Sequence, residues 1–343
     1  MGLDFSTNQK TGMPVYAVKK GYVWRIRQDR TGYGKVIYIK HYDGTISVYA
    51  HLSEFRGSGR LNLKGRMDTK IKTKGYKYGH QITFYPDEFP VKQGDLIGFS
   101  GESGAGGPHL HFEMRDKDNI TFLPYNEIEE IFDEVSPILT KLLIIPEARN
   151  SRIFGLEIPV KLPLNKGVGS DYSIAQEEIE CSGKFKFVLG AFDMTDSMPN
   201  KLGVKRIELI IDDSLVYMID FKNISYSEYR KSDLIYYEAI SRASEGFYKL
   251  FNDIETELSV LNGNDTISGF INIVPGDLKK VKINVFDYNN NLSRLKFTLH
   301  GKEYPDPEIQ PEIVKENFNT KIYVKDSELY YQNTGNILLF IFN

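Results

Sequence analysis

The sequence predicts a mainly β protein with more than one domain, and three observations lead to that expectation. The chain has 343 residues, enough for two domains and part of a third. Aromatic residues make up 13% of it, and aromatic side chains favour strands. Short runs of alternating apolar and polar residues are separated by turn residues along most of the chain. These runs predict strands joined by tight turns.

Composition argues against two broad classes of partner. The net charge is −3, so nothing favours a polyanion, and nucleic acid is not expected to bind. No apolar run approaches the length of a membrane span. The single cysteine, Cys181, cannot form an internal disulfide or a cysteine zinc site. We expect it to be a small buried side chain.

The clearest strand pair lies in the first third of the chain. Lys35–His41 and residues 45–51 are β-rich runs, and Asp43-Gly44 between them is a strong hairpin signal. In the second run the apolar positions 46, 48 and 50 share one face, while Ser47, Tyr49 and His51 share the other. We expect the first face to pack on the core and the second to line a groove.

Two histidines separated by one residue give the strongest functional signal. In a strand, His109 and His111 point to the same face, while Phe112 points into the core. One imidazole of such a pair can bind a metal ion while the other moves a proton. A purely structural pair is the alternative, but the glycine-rich turn at residues 106–108 favours a site that is open to substrate.

Six short blocks carry a resemblance to a known family. In order they are Gly2-Leu3-Asp4-Phe5, Pro14-Val15-Tyr16-Ala17, Gly32-Tyr33-Gly34, Tyr49-Ala50-His51-Leu52, Val91-Lys92-Gln93-Gly94-Asp95-Leu96-Ile97-Gly98 and Gly107-Pro108-His109-Leu110-His111-Phe112-Glu113. Together they resemble the catalytic domain of the M23 family, the LytM/lysostaphin-type zinc metallopeptidases. The resemblance implies a LytM-like antiparallel β-sheet core and a Zn²⁺-dependent endopeptidase. Its partners would be the cross-links or stem peptides of peptidoglycan, and its place the cell envelope or periplasm.

The resemblance also implies roles for four residues. Asp4 and His111 would be zinc ligands. His109 would be the general base or proton shuttle, and His51 would orient water or stabilise the oxyanion. Which of these two histidines is the base stays open. Taken alone, Asp4 would be interpreted as a turn cap and His51 as a hydrogen-bonded edge residue.

The start of the chain departs from the family pattern. Gly2 and Asp4 match the motif H-x-G-x-D, and its first zinc-ligand histidine would lie one position upstream of Met1. We therefore expect weak zinc binding and impaired activity, unless another residue such as His80 completes the shell. No signal peptide is visible either. A truncated enzyme is one interpretation. The alternative is a degenerate, non-catalytic module that binds cell wall or activates a partner hydrolase, and a structural envelope protein is a third.

The first predicted domain is the peptidase-like catalytic domain at residues 1–125. It carries an insert at 55–90, which is either a wall or lid of the site or a mobile surface loop. His41, beside the predicted hairpin turn, is expected to be solvated. We assign no role to His80 in the insert or to His300 in the second domain.

Three further segments follow. Residues 126–180 form a connecting segment with acidic helical character at its start and a strand at 138–145. Residues 181–300 are predicted to form a β-sandwich (Ig-like) domain with a helical insertion at 236–251. We expect it to be a targeting or spacing module. Residues 301–343 would form a linker and the start of a further, truncated β module.

Overall fold

The fold is seen in a computed structural model that describes residues 2–104, 106–122, 133–148, 150–176, 178–195, 198–221, 224–237, 240–241, 245–261, 268–304, 320–325, 328–333 and 336–340. Strands dominate it and most of their pairings are antiparallel, so the predicted mainly β fold class is confirmed. None of the helices in these ranges has the length and apolar character that a membrane span requires.

The first part of the chain forms two sheets. Its elements are β1 (Leu3–Ser6), β2 (Pro14–Tyr16), β3 (Gly21–Gln28), β4 (Lys35–His41), β5 (Ile46–Ala50), β6 (Glu54–Phe55), a 3₁₀ turn (Gly59–Leu61), α1 (Leu63–Lys74), β7 (His80–Thr83), β8 (Pro90–Val91), β9 (Leu96–Phe99), β10 (His109–Arg115) and β11 (Ile120–Phe122). The larger sheet has the order β11-β10-β5-β4-β3-β7, with β1 beside β10 and β8 beside β3. Strands β2, β9 and β6 form the smaller sheet.

The predicted hairpin is present, but it is buried on both faces. β4 pairs with β5 in antiparallel fashion, and all five residues of β5 are buried. Tyr49 packs against Phe112, with ring centroids 5.3 Å apart, in the larger hydrophobic cluster of the first part, which is the main core of that part. The predicted groove-lining role of the Ser47 and Tyr49 face is therefore wrong. His41 is also buried rather than solvated, because its ring nitrogens contact the Lys20 carbonyl and the Ser47 hydroxyl.

The insert at 55–90 is a packed unit of helix and strand. Asn62 caps α1 by accepting a hydrogen bond from the Gly65 amide, and Gly75 ends the helix in the left-handed conformation. Leu63 and Met67 of α1 are buried in the main core. β7 continues the sheet by pairing with β3. This packing gives the insert a structural role in the core of the first part.

The second part of the chain centres on one large sheet. Its elements are β12 (Ile138–Pro146), β13 (Arg152–Ile153), β14 (Val160–Lys166), β15 (Asp171–Ile174), β16 (Glu178–Thr195), β17 (Met198–Leu202), β18 (Arg206–Ile211), β19 (Ser214–Asp220), β20 (Ile224–Ser225), β21 (Gly246–Lys249), β22 (Ile271–Ile273), β23 (Leu278–Phe286) and β24 (Leu292–Gly301), with 3₁₀ helices at Tyr226–Leu234 and Ser259–Leu261. All but β20 join a twelve-stranded sheet, while β20 pairs with β11 of the first part. β16 is 18 residues long and pairs with six other strands.

The second part differs from the sequence-based expectation in two respects. The Ig-like sandwich is not confirmed. The helix expected at 236–251 is wrong, because β21 occupies residues 246–249 and pairs with β16. Phe247 and Tyr248 are both buried, yet they belong to different core clusters. The helix was expected from the spacing of Ile240, Phe247 and Leu250, but Phe247 and Leu250 also belong to different clusters, so this spacing does not mark one buried helix face.

Two predicted segments lie wholly or partly outside the described residues. The helical start of the connecting segment falls largely on residues 126–132, which are not described, and residues 133–135 are irregular. Near the end of the chain, β25 (Thr320–Lys325), β26 (Glu328–Asn333) and β27 (Asn336–Phe340) form a separate antiparallel sheet. The division of the chain into domains stays a prediction.

Candidate functional site

Strand β10 presents a row of polar side chains on one face. His109, His111, Glu113 and Arg115 alternate with Leu110, Phe112 and Met114, of which the last two are buried in the main core. The polar side chains become more buried along the strand, from 22% exposed at His109 and 19% at His111 to 4% at Glu113 and 2% at Arg115. The start of the strand is thus the accessible end of the row.

Strand β1 brings an acidic group to this row. It pairs with β10 so that Asp4 lies opposite His111. The Asp4 Oδ1 atom is 2.7 Å from His111 Nδ1 and 3.9 Å from His109 Nε2. A side chain at Gly2 would place its Cβ 2.3 Å from the His111 ring, so glycine is needed where β1 approaches the imidazole.

His51 joins the group because the chain bends at that residue. It follows β5 with a φ of +58°, in the left-handed region. Had the strand continued, His51 would have shared the core face of Tyr49. Instead its ring centroid lies 4.6 Å from that of His109 and 5.7 Å from that of His111. The structure therefore brings together all four residues singled out from the sequence.

Backbone carbonyls select the tautomer of two of these histidines. His51 Nδ1 lies 2.9 Å from the Ser103 carbonyl, and His109 Nδ1 lies 2.7 Å from the Gly107 carbonyl. A carbonyl oxygen only accepts hydrogen bonds, so Nδ1 carries the proton in each ring. In the neutral form each ring then presents a lone pair at Nε2, as a general base requires.

His111 lies between two carboxylates, and this raises its pKa. Its Nε2 atom is 2.8 Å from Glu113 Oε1, on the other side of the ring from Asp4. Burial lowers the pKa of His111, but the hydrogen bonds to Asp4 and Glu113 outweigh that effect and raise it to about 9. Without a metal ion, a protonated His111 therefore occupies the centre of the site at neutral pH.

Glu113 is the centre of a buried polar network that the sequence analysis missed. It accepts hydrogen bonds from Arg115 Nε at 2.8 Å and from the Tyr33 hydroxyl. Arg115 in turn donates to Asn119 Oδ1 at 3.0 Å. Burial raises the pKa of Glu113, yet His111, Arg115 and Tyr33 together lower it to about 2. The signal was present, because Glu113 and Arg115 continue the two-residue alternation of the histidines.

The pKa values of Asp4 and His51 are shifted in directions that suit their surroundings. Burial raises the pKa of Asp4, but the contacts of Asp4 with His111 outweigh this effect. The net pKa is therefore lowered, and the carboxylate is ionised. Burial, together with His109 and His111, lowers the pKa of His51, which is 7% exposed. His51 is therefore neutral at physiological pH.

The metal-free protein is expected to lose stability as the pH rises towards 9. Because the folded-state pKa of His111 lies above its ordinary value of 6.5, its contribution is complete below pH 6.5 and is lost through pH 9. The loss is at most about 3 kcal/mol. Urea unfolding at both ends of this range, with a chelator present, measures it. The His111→Ala variant should lack this step, and an equal step in the variant would assign it to other groups.

His80 lies far from this site. β7, which carries it, is at one edge of the sheet, and β5, β4 and β3 lie between it and β10. At about 4.8 Å per strand this separation is close to 20 Å. The His80 ring stacks on Tyr76, with centroids 4.5 Å apart. The expectation that His80 could complete the ligand shell is therefore wrong.

An ionised carboxylate, an imidazole opposite it and two further imidazoles form the kind of centre that metal-dependent hydrolases use. Residues 1–64 match the family model described as Peptidase family M23. The chain is 30% identical over 115 residues to the DD-carboxypeptidase/endopeptidase Mpg of Neisseria meningitidis serogroup B (strain ATCC 13091 / M2091), covering 33% of this chain and 19% of Mpg. The first part of the chain is thus similar to M23-type peptidase domains, and the resemblance is confirmed.

Other relatives are similar over about a third of the chain. The uncharacterized lipoprotein YgeR of Escherichia coli (strain K12) is 28% identical over 127 residues, covering 36% of this chain and 39% of YgeR. The catalytic domain of the antimicrobial peptidase lysostaphin from Staphylococcus simulans is 26% identical, with a TM-score of 0.23, over 34% of this chain and 66% of that domain. The chain spans about one fifth of the length of Mpg.

Proposed function

We propose that the first part of the chain is a zinc-dependent endopeptidase that cleaves peptide cross-links or stem peptides of bacterial peptidoglycan in the cell envelope. The observation that carries this proposal is the Asp4 carboxylate against His111 Nδ1, with His51 and His109 beside the pair. The M23 match and the endopeptidase name of one relative support the reaction class.

The donors at this centre suit zinc. Zinc takes imidazole nitrogen and carboxylate oxygen, and the Asp4 and His111 atoms that would hold it share a proton in the metal-free structure. When bound, zinc polarises the scissile carbonyl and lowers the pKa of its water. Glu113 holds the far nitrogen of the His111 ring and so fixes which nitrogen faces Asp4.

The two spare histidines would handle the proton. Each presents the Nε2 lone pair in its neutral form, because Nδ1 is hydrogen-bonded to a carbonyl. A neutral His51 with this tautomer can accept a hydrogen bond from water but has no Nε2 proton for an oxyanion. This favours water orientation over oxyanion stabilisation for His51, and leaves His109 as the base.

Zinc affinity tests how the ligand shell is completed. Asp4 and His111 are two ligands, and a catalytic zinc site usually has three. A histidine inserted directly before Met1, where the family motif has one, is expected to raise zinc affinity by more than about 100-fold, beyond what a residue outside the coordination shell contributes. Calorimetric titration of the chain with and without the insertion measures this. His111→Ala should remove binding from both, and nanomolar binding without the insertion would contradict the expected two-ligand site.

Digestion of purified peptidoglycan tests the reaction. The chain with the inserted histidine is expected to release peptides, and its His111→Ala variant is not. Equal release by both would contradict the zinc mechanism. Cosedimentation with peptidoglycan without any release would instead favour the non-catalytic module that binds cell wall or activates a partner hydrolase.

We propose a spacing or targeting role for the second part of the chain.

A further inference from the structure

Three aspartates meet where the connecting segment reaches the second part of the chain. Asp133 lies shortly before β12, Asp193 lies near the end of β16, and Asp287 directly follows β23. One carboxylate oxygen from each lies within 4.8 Å of the other two. The residues are 7%, 2% and 0% exposed, so three acidic groups from separate segments share one buried space.

No basic residue neutralises this group among the parts of the chain that the structure describes. Neither Lys, Arg nor His forms an ion pair with Asp193 or Asp287 there, and the electrostatic neighbours of Asp193 are the other two carboxylates. Burial and Asp287 raise the pKa of Asp193 to about 7. Like charges confined in a buried space are costly unless a proton or a cation balances them.

One oxygen of the group has no hydrogen-bond donor among the residues that the structure describes. This oxygen, Asp193 Oδ1, is buried, and the whole residue is only 2% exposed. The other two carboxylates are held in place: Asp287 accepts from the Asn291 backbone amide at 2.8 Å and from its side chain at 2.7 Å, and Asp133 accepts from the Val135 amide at 3.0 Å. A buried acceptor without a donor is rare in folded proteins, and a bound cation would satisfy it.

The loop after β23 has the spacing with which calcium loops begin. Asp287, Asn289 and Asn291 follow the pattern D-x-N-x-N. The pattern then departs, because Leu292 replaces the usual glycine and Thr298 stands where a bidentate glutamate would be. In the folded chain Asp133 and Asp193 bring two further carboxylates to within 4.8 Å of Asp287.

We propose that Asp133, Asp193 and Asp287 bind a calcium ion that fastens the connecting segment to the ends of β16 and β23. An all-oxygen donor set suits a hard cation rather than zinc. Ca–O distances of about 2.3–2.6 Å allow ligand oxygens to lie up to about 5 Å apart, whereas magnesium allows only about 4 Å. The three carboxylate oxygens lie within 4.8 Å of one another, which is compatible with a calcium ion.

Calcium is expected to raise the melting temperature of the full chain by roughly 5 °C relative to the same protein in EGTA. Calorimetric titration of desalted protein with calcium chloride should show one site with a Kd on the order of 10⁻⁴ M or tighter. Asp193→Asn should weaken this binding by about tenfold or more. In EGTA the variant should melt above the wild type, because it removes one of three buried like charges.

Matched controls separate this site from others. Asp213→Asn makes the same chemical change at a carboxylate of the second part that is 95% exposed, and it should leave the calcium response intact. His111→Ala should also respond to calcium as the wild type does, so the result does not depend on the proposed peptidase function.

Three outcomes would overturn the proposal. The first is no shift in melting temperature and no heat of binding up to about 10 mM calcium. The second is an equal calcium response in wild type and Asp193→Asn. The third is a magnesium response that matches the response to calcium. If Asp193→Asn does not fold, the wild-type measurements with calcium, magnesium and EGTA decide alone.

Discussion

Replacing Glu113 with alanine is expected to lower the free energy of unfolding by about 3–5 kcal/mol. Glu113 and Arg115 are 4% and 2% exposed, and their closest ion-pair distance is 2.6 Å. Removal of the carboxylate leaves the Arg115 guanidinium buried without its counter-charge and takes an acceptor from the Tyr33 hydroxyl. Breaking a buried pair from one side costs far more than the intact pair contributes, because the remaining charge is still desolvated.

Urea unfolding of the variant at pH 7 measures this loss. Glu54→Ala is the matched control, since Glu54 makes an exposed contact of 3.8 Å with Lys64, and it should change stability by less than about 1 kcal/mol. Similar small losses in both variants would show that the Glu113 network is not a structural support of β10. The wild-type contribution of Glu113 is present above its ordinary pKa of 4.5 and is lost as the pH falls towards 2.

Local signals in the sequence were sufficient for parts of the fold and the site. Asp43-Gly44 predicts the hairpin of β4 and β5, and the alternation of His109 and His111 predicts a shared face on β10. Both depend only on neighbouring residues and on the two-residue period of a strand. The helix α1 had such a signal as well, because Leu63, Met67 and Ile71 recur every four residues behind a capping Asn62. That signal was missed.

Other features depend on contacts between distant segments. The register that sets Asp4 against His111 joins residues 107 apart in sequence, and no local pattern specifies it. The family motifs, rather than periodicity, pointed to this pair. The positive φ of His51 was also outside the reach of sequence reasoning, because periodicity only assigned that residue to the face of Ser47 and Tyr49, which is buried in the structure. β21 is a strand because β16 offers it a backbone partner, which outweighs its helix-like spacing.

His51 and His109 differ in their surroundings, and this difference predicts which one is the base. His109 stands at the accessible start of β10, and its Nε2 atom is 3.9 Å from Asp4. His51 is buried more deeply, and its ring is fixed by the Ser103 carbonyl on one side and by the His109 ring on the other. A base must reach the proton of the attacking water, so the more accessible ring beside the proposed metal-binding carboxylate suits that role better.

His109→Ala is therefore expected to lower kcat by about 10²–10⁴-fold in the form of the chain that hydrolyses peptidoglycan. His51→Ala should cause a smaller loss, because His51 positions water without taking its proton. The pH dependence of kcat/KM separates the two roles: the acid limb should persist in His51→Ala and disappear in His109→Ala. Zinc titration of both variants provides the control, since neither residue is a proposed ligand and both should bind zinc as their parent does. The reverse order of losses, with the acid limb absent only in His51→Ala, would make His51 the base and assign the orienting role to His109.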